Sequence, residues 1–177
     1  MKSSEQKGKT LPVVQLRALE PEDLDLLYRI ENDRELWDCS ATNVPYSRHV
    51  LSQYILSAQN NIFADGQVRL IVENEAGEVV GVADLTNFDS RHQRAEVGLV
   101  VLADYRRKGY ATATLERLLG YSRRILHLHQ LYVCVSVDNQ ASVALFRKAG
   151  FSATARLKEW LCMSGVYTDA LWMQYIL

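Results

Sequence analysis

The feature that most constrains the fold of this chain is a change of residue pattern between residues 95 and 126. Residues 95–101 form an apolar run typical of a strand. Residues 106–111 read Arg-Arg-Lys-Gly-Tyr-Ala, and apolar residues then recur at helical spacing over 108–126. A strand that leads through a short basic loop into a long amphipathic helix predicts a domain in which helices pack on a sheet.

The other segments extend this prediction along the chain. We expect strands near 13–16, 68–72, 79–83, 95–101, 131–137, 154–163 and 167–177, and helices from Pro21, after Ser47, over 108–126 and over 139–149. Gly77 lies in a hairpin turn, and Gly150 suits a helix end. The order β-α-α-β-β-β-α-β-α-β-β predicts a mixed α/β (α+β) domain with a largely antiparallel sheet and at least one strand–helix–strand crossover.

Length and composition fit one globular domain. The chain has 177 residues, of which 48% are hydrophobic and 23% charged. Its net charge of −1 gives no general reason to expect binding to nucleic acid or to a membrane surface. No apolar run approaches membrane-spanning length. Because residues 1–10 are polar, we expect a disordered tail there, a domain over 11–177 and a cytoplasmic location.

The cysteines and histidines predict neither a disulfide framework nor a metal site. Cys39, Cys134 and Cys162 are odd in number and far apart, without a C-x-x-C pair. Cys134 lies in the middle of a strand with no histidine placed to activate it, so a core position is favoured over a nucleophile. His127 and His129 are expected to be exposed at a helix end.

The basic loop has the properties of a phosphate site. Gly109 allows close approach of the backbone, and the helix that follows directs unpaired N–H groups and its positive dipole end at the loop. Arg106, Arg107 and Lys108 add positive charge. A solvated turn is the alternative on these residues alone. The apolar strand before the loop and the long helix after it favour an anion site.

The same loop resembles the acetyl-CoA loop of the GNAT acetyltransferase superfamily, whose pattern is Gln/Arg-x-x-Gly-x-Gly/Ala. Arg106, Gly109 and Ala111 match that pattern. Residues 137–142 and 145–151 are similar to the family's second cofactor segment. The resemblance extends over about residues 11–177, and it implies a twisted sheet flanked by helices on both faces.

Two further motifs resemble one branch of the superfamily, the ribosomal-protein N-terminal acetyltransferases and the spermidine acetyltransferases. They are Arg94-Ala95-Glu96 and Gly165-x-Tyr167-x-Asp169. The resemblance implies direct acetyl transfer from acetyl-CoA to a primary amine in a ternary complex, without a metal. It implies a polyamine-like small amine or a peptide N-terminus as acceptor, and a homodimer or a larger homo-oligomer.

The resemblance also implies which residues bind the cofactor. Backbone groups of Leu99, Val100 and Val101 would hold the pantetheine arm, and one N–H would polarise the thioester carbonyl. Gly98 would mark a bulge in this strand, although simple packing is the alternative. Asn139 would contact the cofactor, cap a helix, or do both. The full cofactor set is Leu99, Val100, Val101, Arg106, Arg107, Lys108, Gly109, Tyr110, Ala111, Asn139, Ser142 and Lys148.

Acetyl transfer needs a neutral amine and therefore a general base. Glu96 is the candidate, since it lies on the strand beside the expected thioester; the alternative is an exposed carboxylate or a salt-bridge partner of Arg94. Phe146 occupies the position of the tyrosine that protonates the leaving thiolate in this family. Tyr110, Tyr132 or water would have to replace it, or the thiolate would leave unprotonated.

The family builds its acceptor pocket from the first two helices and the loop between them. Aromatic and acidic residues are frequent in this region: Trp37, Tyr46, Tyr54, Glu31, Asp33, Glu35 and Asp38. An acidic wall suits a polyamine or a protonated N-terminus. A solvated helix end is the alternative explanation of the charges.

Two other functions compete with an acetyltransferase. Phe146 keeps open a catalytically weak protein that binds acyl-CoA as a sensor. A nucleotide-binding domain such as a small kinase is disfavoured, because the chain has no G-x-x-x-x-G-K-[ST] loop and no acidic pair for Mg²⁺ after the loop.

Overall fold

The computed structural model describes residues 10–37, 44–163 and 165–177. Among these residues the strands are β1 (Val14–Ala18), β2 (Val68–Asn74), β3 (Val79–Asp89), β4 (Arg94–Val101), β5 (Gln130–Ser136), β6 (Ser152–Met163) and β7 (Val166–Ile176). The helices are α1 (Leu24–Glu31), α2 (Arg34–Trp37), α3 (Arg48–Ser57), α4 (Ile62–Asp65), α5 (Tyr110–Arg124) and α6 (Gln140–Lys148). The order of elements that the sequence predicts is therefore confirmed, apart from the two four-residue helices.

All these strands belong to one sheet with the order β1-β2-β3-β4-β5-β7-β6. Strands β4 and β5 run parallel, and α5 connects them as a crossover. The other neighbouring pairs in the described sheet are antiparallel. The predicted α/β fold with a largely antiparallel sheet is thus confirmed.

Each face of the sheet packs against its own pair of helices. On one face, α1 and α3 contribute Leu27, Ile30 and Leu51 to a cluster that includes Ile71 and Val82 of the sheet. We call this the α1/α3 face. On the opposite face, α5 and α6 pack against the alternate residues of the strands in the larger cluster. The helices lie on both faces because successive strand residues point to opposite sides.

Local chemistry sets most helix ends where the sequence predicts them. Ser47 accepts a hydrogen bond from the N–H of Val50 at 3.2 Å and begins α3. Gly150 follows α6 with φ +98°, a conformation that glycine adopts without strain. Pro21 begins a short 3-10 turn before α1 rather than α1 itself.

Two boundaries differ from the prediction. Strand β3 continues to Asp89, beyond the predicted end near residue 83, because its polar residues still pair with β4. Helices α2 and α4 have four residues each, too few for a helical period to be visible in the sequence.

The proposed tail lies outside the described residues except for Thr10. In the described part of the chain, no helix has the length and apolar character needed to cross a membrane.

Candidate active site

Strands β4 and β5 separate after a short stretch of pairing, and we call the space between them the gap. The two strands pair only over three positions, from Arg94 with Gln130 to Glu96 with Tyr132. Beyond this point β4 continues along β3 as far as Val101, while β5 continues along β7. The edge of β4 that turns away from β3 therefore keeps backbone donors and acceptors available for a ligand.

Leu99, Val100 and Val101 lie on this edge, as the cofactor prediction requires. All three are half-buried, so a bound chain would complete their burial. The carbonyl of Val101 accepts a hydrogen bond from Nε of Arg106 at 3.0 Å, which ties the basic loop to the end of the strand.

The ladder between β3 and β4 has no bulge at Gly98, so the prediction of a bulge is wrong there and the packing alternative holds. The register passes through Asp84 and Gly98 without a shift. A Cβ atom on Gly98 would lie 3.1 Å from the Cβ of Asp84, so close packing explains the glycine. The irregularity lies on β3 instead, between Thr86 and Asp89, where Asn87 has φ +49°. Asparagine tolerates this conformation better than most residues.

The basic loop leads directly into α5. Gly109 is the N-cap residue with φ +94°, and among the described side chains none caps the first turn of α5. The first N–H groups of α5, from Tyr110 onward, therefore remain available for an anion. Arg106, Arg107 and Lys108 are exposed beside them. An uncapped helix start and three exposed cations thus lie side by side, and the phosphate site itself stays a prediction.

Tyr105 packs against this loop, a role that no motif in the sequence predicts. Its hydroxyl donates to Oε2 of Glu78 at 3.2 Å. Its ring packs edge-on against Tyr110 at 5.5 Å, and Nζ of Lys108 lies 5.7 Å from the ring centre. Glu78 and Tyr105 are 27 residues apart, so no local pattern predicts their contact.

The second cofactor segment begins α6. Oδ1 of Asn139 accepts a hydrogen bond from the N–H of Ser142 at 3.0 Å, so the capping role of Asn139 is confirmed. Lys148 is exposed at the other end of α6. Phe146 is buried and packs edge-on against Phe151 at a centroid distance of 5.0 Å. Its ring is part of the core beneath α6 and has no proton to donate.

Glu96 lies at the closed end of the gap. Its Oε2 accepts a hydrogen bond from Nδ2 of Asn87 at 2.7 Å. Arg94 pairs with Asp89 at 3.0 Å, so the structure does not show the alternative Arg94–Glu96 salt bridge. Burial raises the pKa of the neighbouring Tyr132, and Glu96 raises it further, so the phenol stays protonated at neutral pH.

A largely buried charge cluster lies beside Gly98 on the α1/α3 face, and no motif in the sequence predicts its arginine. Arg69 binds Asp84 through Nε–Oδ1 at 2.7 Å and Nη2–Oδ2 at 3.1 Å, and it also binds Glu31. Side-chain exposure is 23% for Arg69, 17% for Asp84 and 15% for Glu31. Burial acts to lower the pKa of Arg69, but the two carboxylates outweigh it, so the guanidinium remains charged. We call these three residues the Arg69 cluster.

The other residues of the predicted acceptor wall have separate roles. Asp33 accepts the N–H of Glu35 at 3.0 Å, as at a helix start, and Glu35 is exposed. Trp37 donates from its indole to the carbonyl of Glu31 at 2.9 Å. Tyr54 lines a cavity of about 190 Å³ together with Arg69 and others. Asp38 and Cys39 lie outside the described residues.

The prediction of a core position for Cys134 is wrong in part. It is half-buried on the α1/α3 face and belongs to neither core cluster, since β5 turns that face toward the gap. Burial raises the pKa of its thiol, which disfavours a nucleophilic role.

His127 and His129 are exposed after α5, as predicted. Over residues 10–37, 44–163 and 165–177, no three side chains form a group that could hold a metal ion.

Comparison with known proteins identifies the family. The model of the acetyltransferase (GNAT) domain matches residues 14–152, and the chain belongs to this family. It is an acetyl-CoA-dependent N-acetyltransferase, as the loop and the second segment predict.

Three relatives illustrate where the chain falls within the family. The spermidine N(1)-acetyltransferase of Vibrio cholerae is 30% identical over 92% of this chain and 91% of its own length. A putative ribosomal N-acetyltransferase of Bacillus subtilis, YdaF, is 26% identical over 90% of this chain and 88% of its own. The crystal structure of a Vibrio cholerae spermidine N-acetyltransferase with CoA and spermine has a TM-score of 0.83 at 29% identity, covering 92% of this chain and 95% of that one. The predicted branch is confirmed, and the sensor alternative is not favoured.

Proposed function

We propose that the chain acetylates a primary amino group of a small polyamine such as spermidine or spermine. The observation that carries this proposal is the charge beside the gap. On the α1/α3 face, Glu31, Asp84 and Glu96 oppose one guanidinium, that of Arg69, which leaves a local charge of −2. A polyamine keeps a second ammonium group when one amine reacts, and this local charge would stabilise it.

The cofactor would extend from the gap to the start of α5. Backbone groups of Leu99 to Val101 would hold the pantetheine arm, since β5 leaves this edge unpaired. The N–H groups of residues 109–111 and the charges of residues 106–108 would hold the pyrophosphate. Asn139 and Ser142 would line the other wall. Lys148, about 13 Å farther along α6, would contact an outer part of the cofactor.

Glu96 would accept the proton of the attacking amine, directly or through water. Its hydrogen bond from Asn87 fixes the carboxylate and leaves the second oxygen available for that proton. One N–H of residues 99–101 would polarise the thioester carbonyl. Tyr132 is the better candidate for protonating the leaving thiolate, because it lies beside Glu96, whereas Tyr110 packs into the basic loop.

The test is an amine panel in which release of the CoA thiol is measured with spermidine, spermine, a monoamine of similar length and short peptides. We expect the highest kcat/KM for the polyamines. Faster turnover of peptides would instead assign a protein N-terminus as acceptor. Acetyl-CoA binding without turnover of any amine would favour the sensor.

The same proposal includes a homo-oligomer in the cytoplasm. One solved structure of the Vibrio cholerae relative is a dodecamer. In this chain the hairpin of β6 and β7 exposes the large apolar side chains of Trp160, Val166 and Tyr167, which suit a subunit contact. Light scattering of the purified protein distinguishes an oligomer from a monomer. One domain over residues 11–177 also stays a prediction, supported by a sheet that runs from Val14 to Ile176.

A further inference from the structure

A stacked pair of aromatic side chains lies next to the gap. The rings of Tyr132 and Trp172 are 4.6 Å apart at their centres, with an angle of 14° between their planes. Tyr132 is the partner of Glu96 in the ladder, and Trp172 is the partner of Cys134. Partners in a ladder point to the same side, so both rings lie on the α1/α3 face.

Core packing does not account for this pair. Helices α1 and α3 cover the part of that face formed by β2 to β4, and neither aromatic residue belongs to their cluster or to the cluster on the opposite face. Both side chains are only partly buried. Two large rings stacked on an uncovered part of a sheet are typical of a surface that binds a ligand or a partner.

The position of Trp172 relative to the gap indicates the ligand. Across the sheet, Trp172 on β7 lies next to Cys134 on β5, and the gap between β5 and β4 begins on the other side of Cys134. An acceptor that approaches the gap on this face therefore passes the indole on one side and Glu96 on the other. The cation–ring contacts found among the described residues involve Tyr28, Trp37, Tyr54 and Tyr105, so the rings of the stacked pair are not covered by a described cation.

We propose that Trp172 binds the aliphatic chain and the distal ammonium of the acceptor and thereby determines acceptor specificity. Stacking against Tyr132 fixes the orientation of the indole ring. An indole face attracts a cation through its ring quadrupole and at the same time packs against methylene groups. The carboxylates of Glu96 and of the Arg69 cluster would supply the opposite charge on the other side of the acceptor. This inference rests on the proposed polyamine acceptor and specifies which side chain recognises it.

Steady-state kinetics with matched tryptophan variants test the proposal. In Trp172→Leu we expect the KM for spermidine to rise about tenfold, while the KM for acetyl-CoA is unchanged. Trp172→Phe keeps a ring, so its KM should stay within about threefold of the wild type. Phe63→Leu is the control, because that ring is 59% exposed on α4 and packs against Phe88, whose cluster lies on the opposite face of the sheet. An unchanged KM for spermidine in Trp172→Leu would overturn the proposal.

A binding measurement gives a second readout that does not depend on turnover. Spermidine titrated into the CoA-bound double variant Trp37→Phe/Trp160→Phe, in which Trp172 is the one remaining tryptophan of the sequence, should change the intrinsic fluorescence. An unchanged signal in this double variant would contradict direct contact. A change of molar mass in Trp172→Phe by light scattering would overturn the proposal in favour of a contact with a second copy of the chain.

The failure of this inference and the failure of the proposed function are distinguishable. If the wild type acetylates peptides but no polyamine, the proposed acceptor is wrong whatever the variants do. If the wild type acetylates spermidine and Trp172→Leu matches it in KM, the acceptor stands and the role of Trp172 is wrong.

Discussion

The proposed cofactor side and the proposed acceptor side of the gap differ in how their residues are distributed along the chain. The proposed cofactor side comprises the consecutive residues 99–111 and the start of α6, and its backbone groups would supply much of the binding. The acceptor side combines Glu31, Arg69, Asp84 and Glu96 from one helix and three strands. A phosphate site of this kind can be built from one loop and one helix end. A group of charged side chains on a sheet forms only if several strands pair in the correct register.

The burial of the two sides differs as well. The cations of the loop are exposed, so water screens them and each contributes little to folding. The Arg69 cluster is largely removed from water, so each of its charges depends on the others. We therefore expect substitutions on the cofactor side to change ligand affinity, and substitutions on the acceptor side to change catalysis or stability.

The largest expected effect is that of Glu96→Gln. An amide cannot accept the amine proton, so turnover with the best amine should fall about 10³-fold. Acetyl-CoA affinity, measured by calorimetry, should not change, because Glu96 lies outside the basic loop. Glu75→Gln, on the exposed turn between β2 and β3, is the matched control and should keep wild-type turnover. Wild-type turnover of Glu96→Gln at every pH would remove Glu96 as the base.

Arg69→Leu tests the dependence within the buried cluster. The substitution leaves Asp84 and Glu31 buried without their partner, so the free energy of unfolding should fall by about 3 kcal/mol in urea titrations. Lys108→Ala removes an exposed cation from the cofactor side and should have a far smaller effect on unfolding. An equal decrease in the free energy of unfolding of the two variants would contradict the difference in burial between the two sides.

Gly109→Ala tests the cofactor side. A side chain at φ +94° is strained, and its Cβ would lie 3.0 Å from Cδ of Pro12, so the start of α5 should shift. We expect acetyl-CoA to bind about tenfold more weakly, as measured by calorimetry. Gly77→Ala is the control, because Gly77 has φ +75° but open space around it and lies in a hairpin turn. Its backbone penalty should be similar, with acetyl-CoA affinity unchanged.

The smallest expected effect concerns pH and the anchoring of α1. Burial alone would raise the pKa of Asp23, but Arg17 and the N–H of Glu20 lower it below its usual value. The stabilisation is therefore complete above the unfolded pKa of about 4 and is lost as the pH falls through the lower folded pKa. In Asp23→Asn, the free energy of unfolding should fall less steeply with acidification below about pH 4. Identical slopes in both proteins would contradict this assignment.

The sequence by itself determined the features that depend on neighbours along the chain. The strand, loop and helix around Gly109 were predictable because a glycine, three cations and a helical period occur within a short segment. The cap formed by Asn139 and the turn at Gly150 follow from the same local chemistry. By themselves they predict an anion site at a helix start, and their resemblance to the GNAT superfamily predicted the family, the reaction and the cofactor.

Only the tertiary structure decided which distant residues meet. The register of β2, β3 and β4 brings Arg69, Asp84 and Gly98 into one row, and a shift of one residue in any strand would turn its side chain to the opposite face. The divergence of β4 from β5 creates the gap and leaves Cys134 only half-buried beside Trp172, although a lone strand cysteine is typical of a core. Such pairings depend on long-range packing and hydrogen bonding, which leave no local pattern in the sequence.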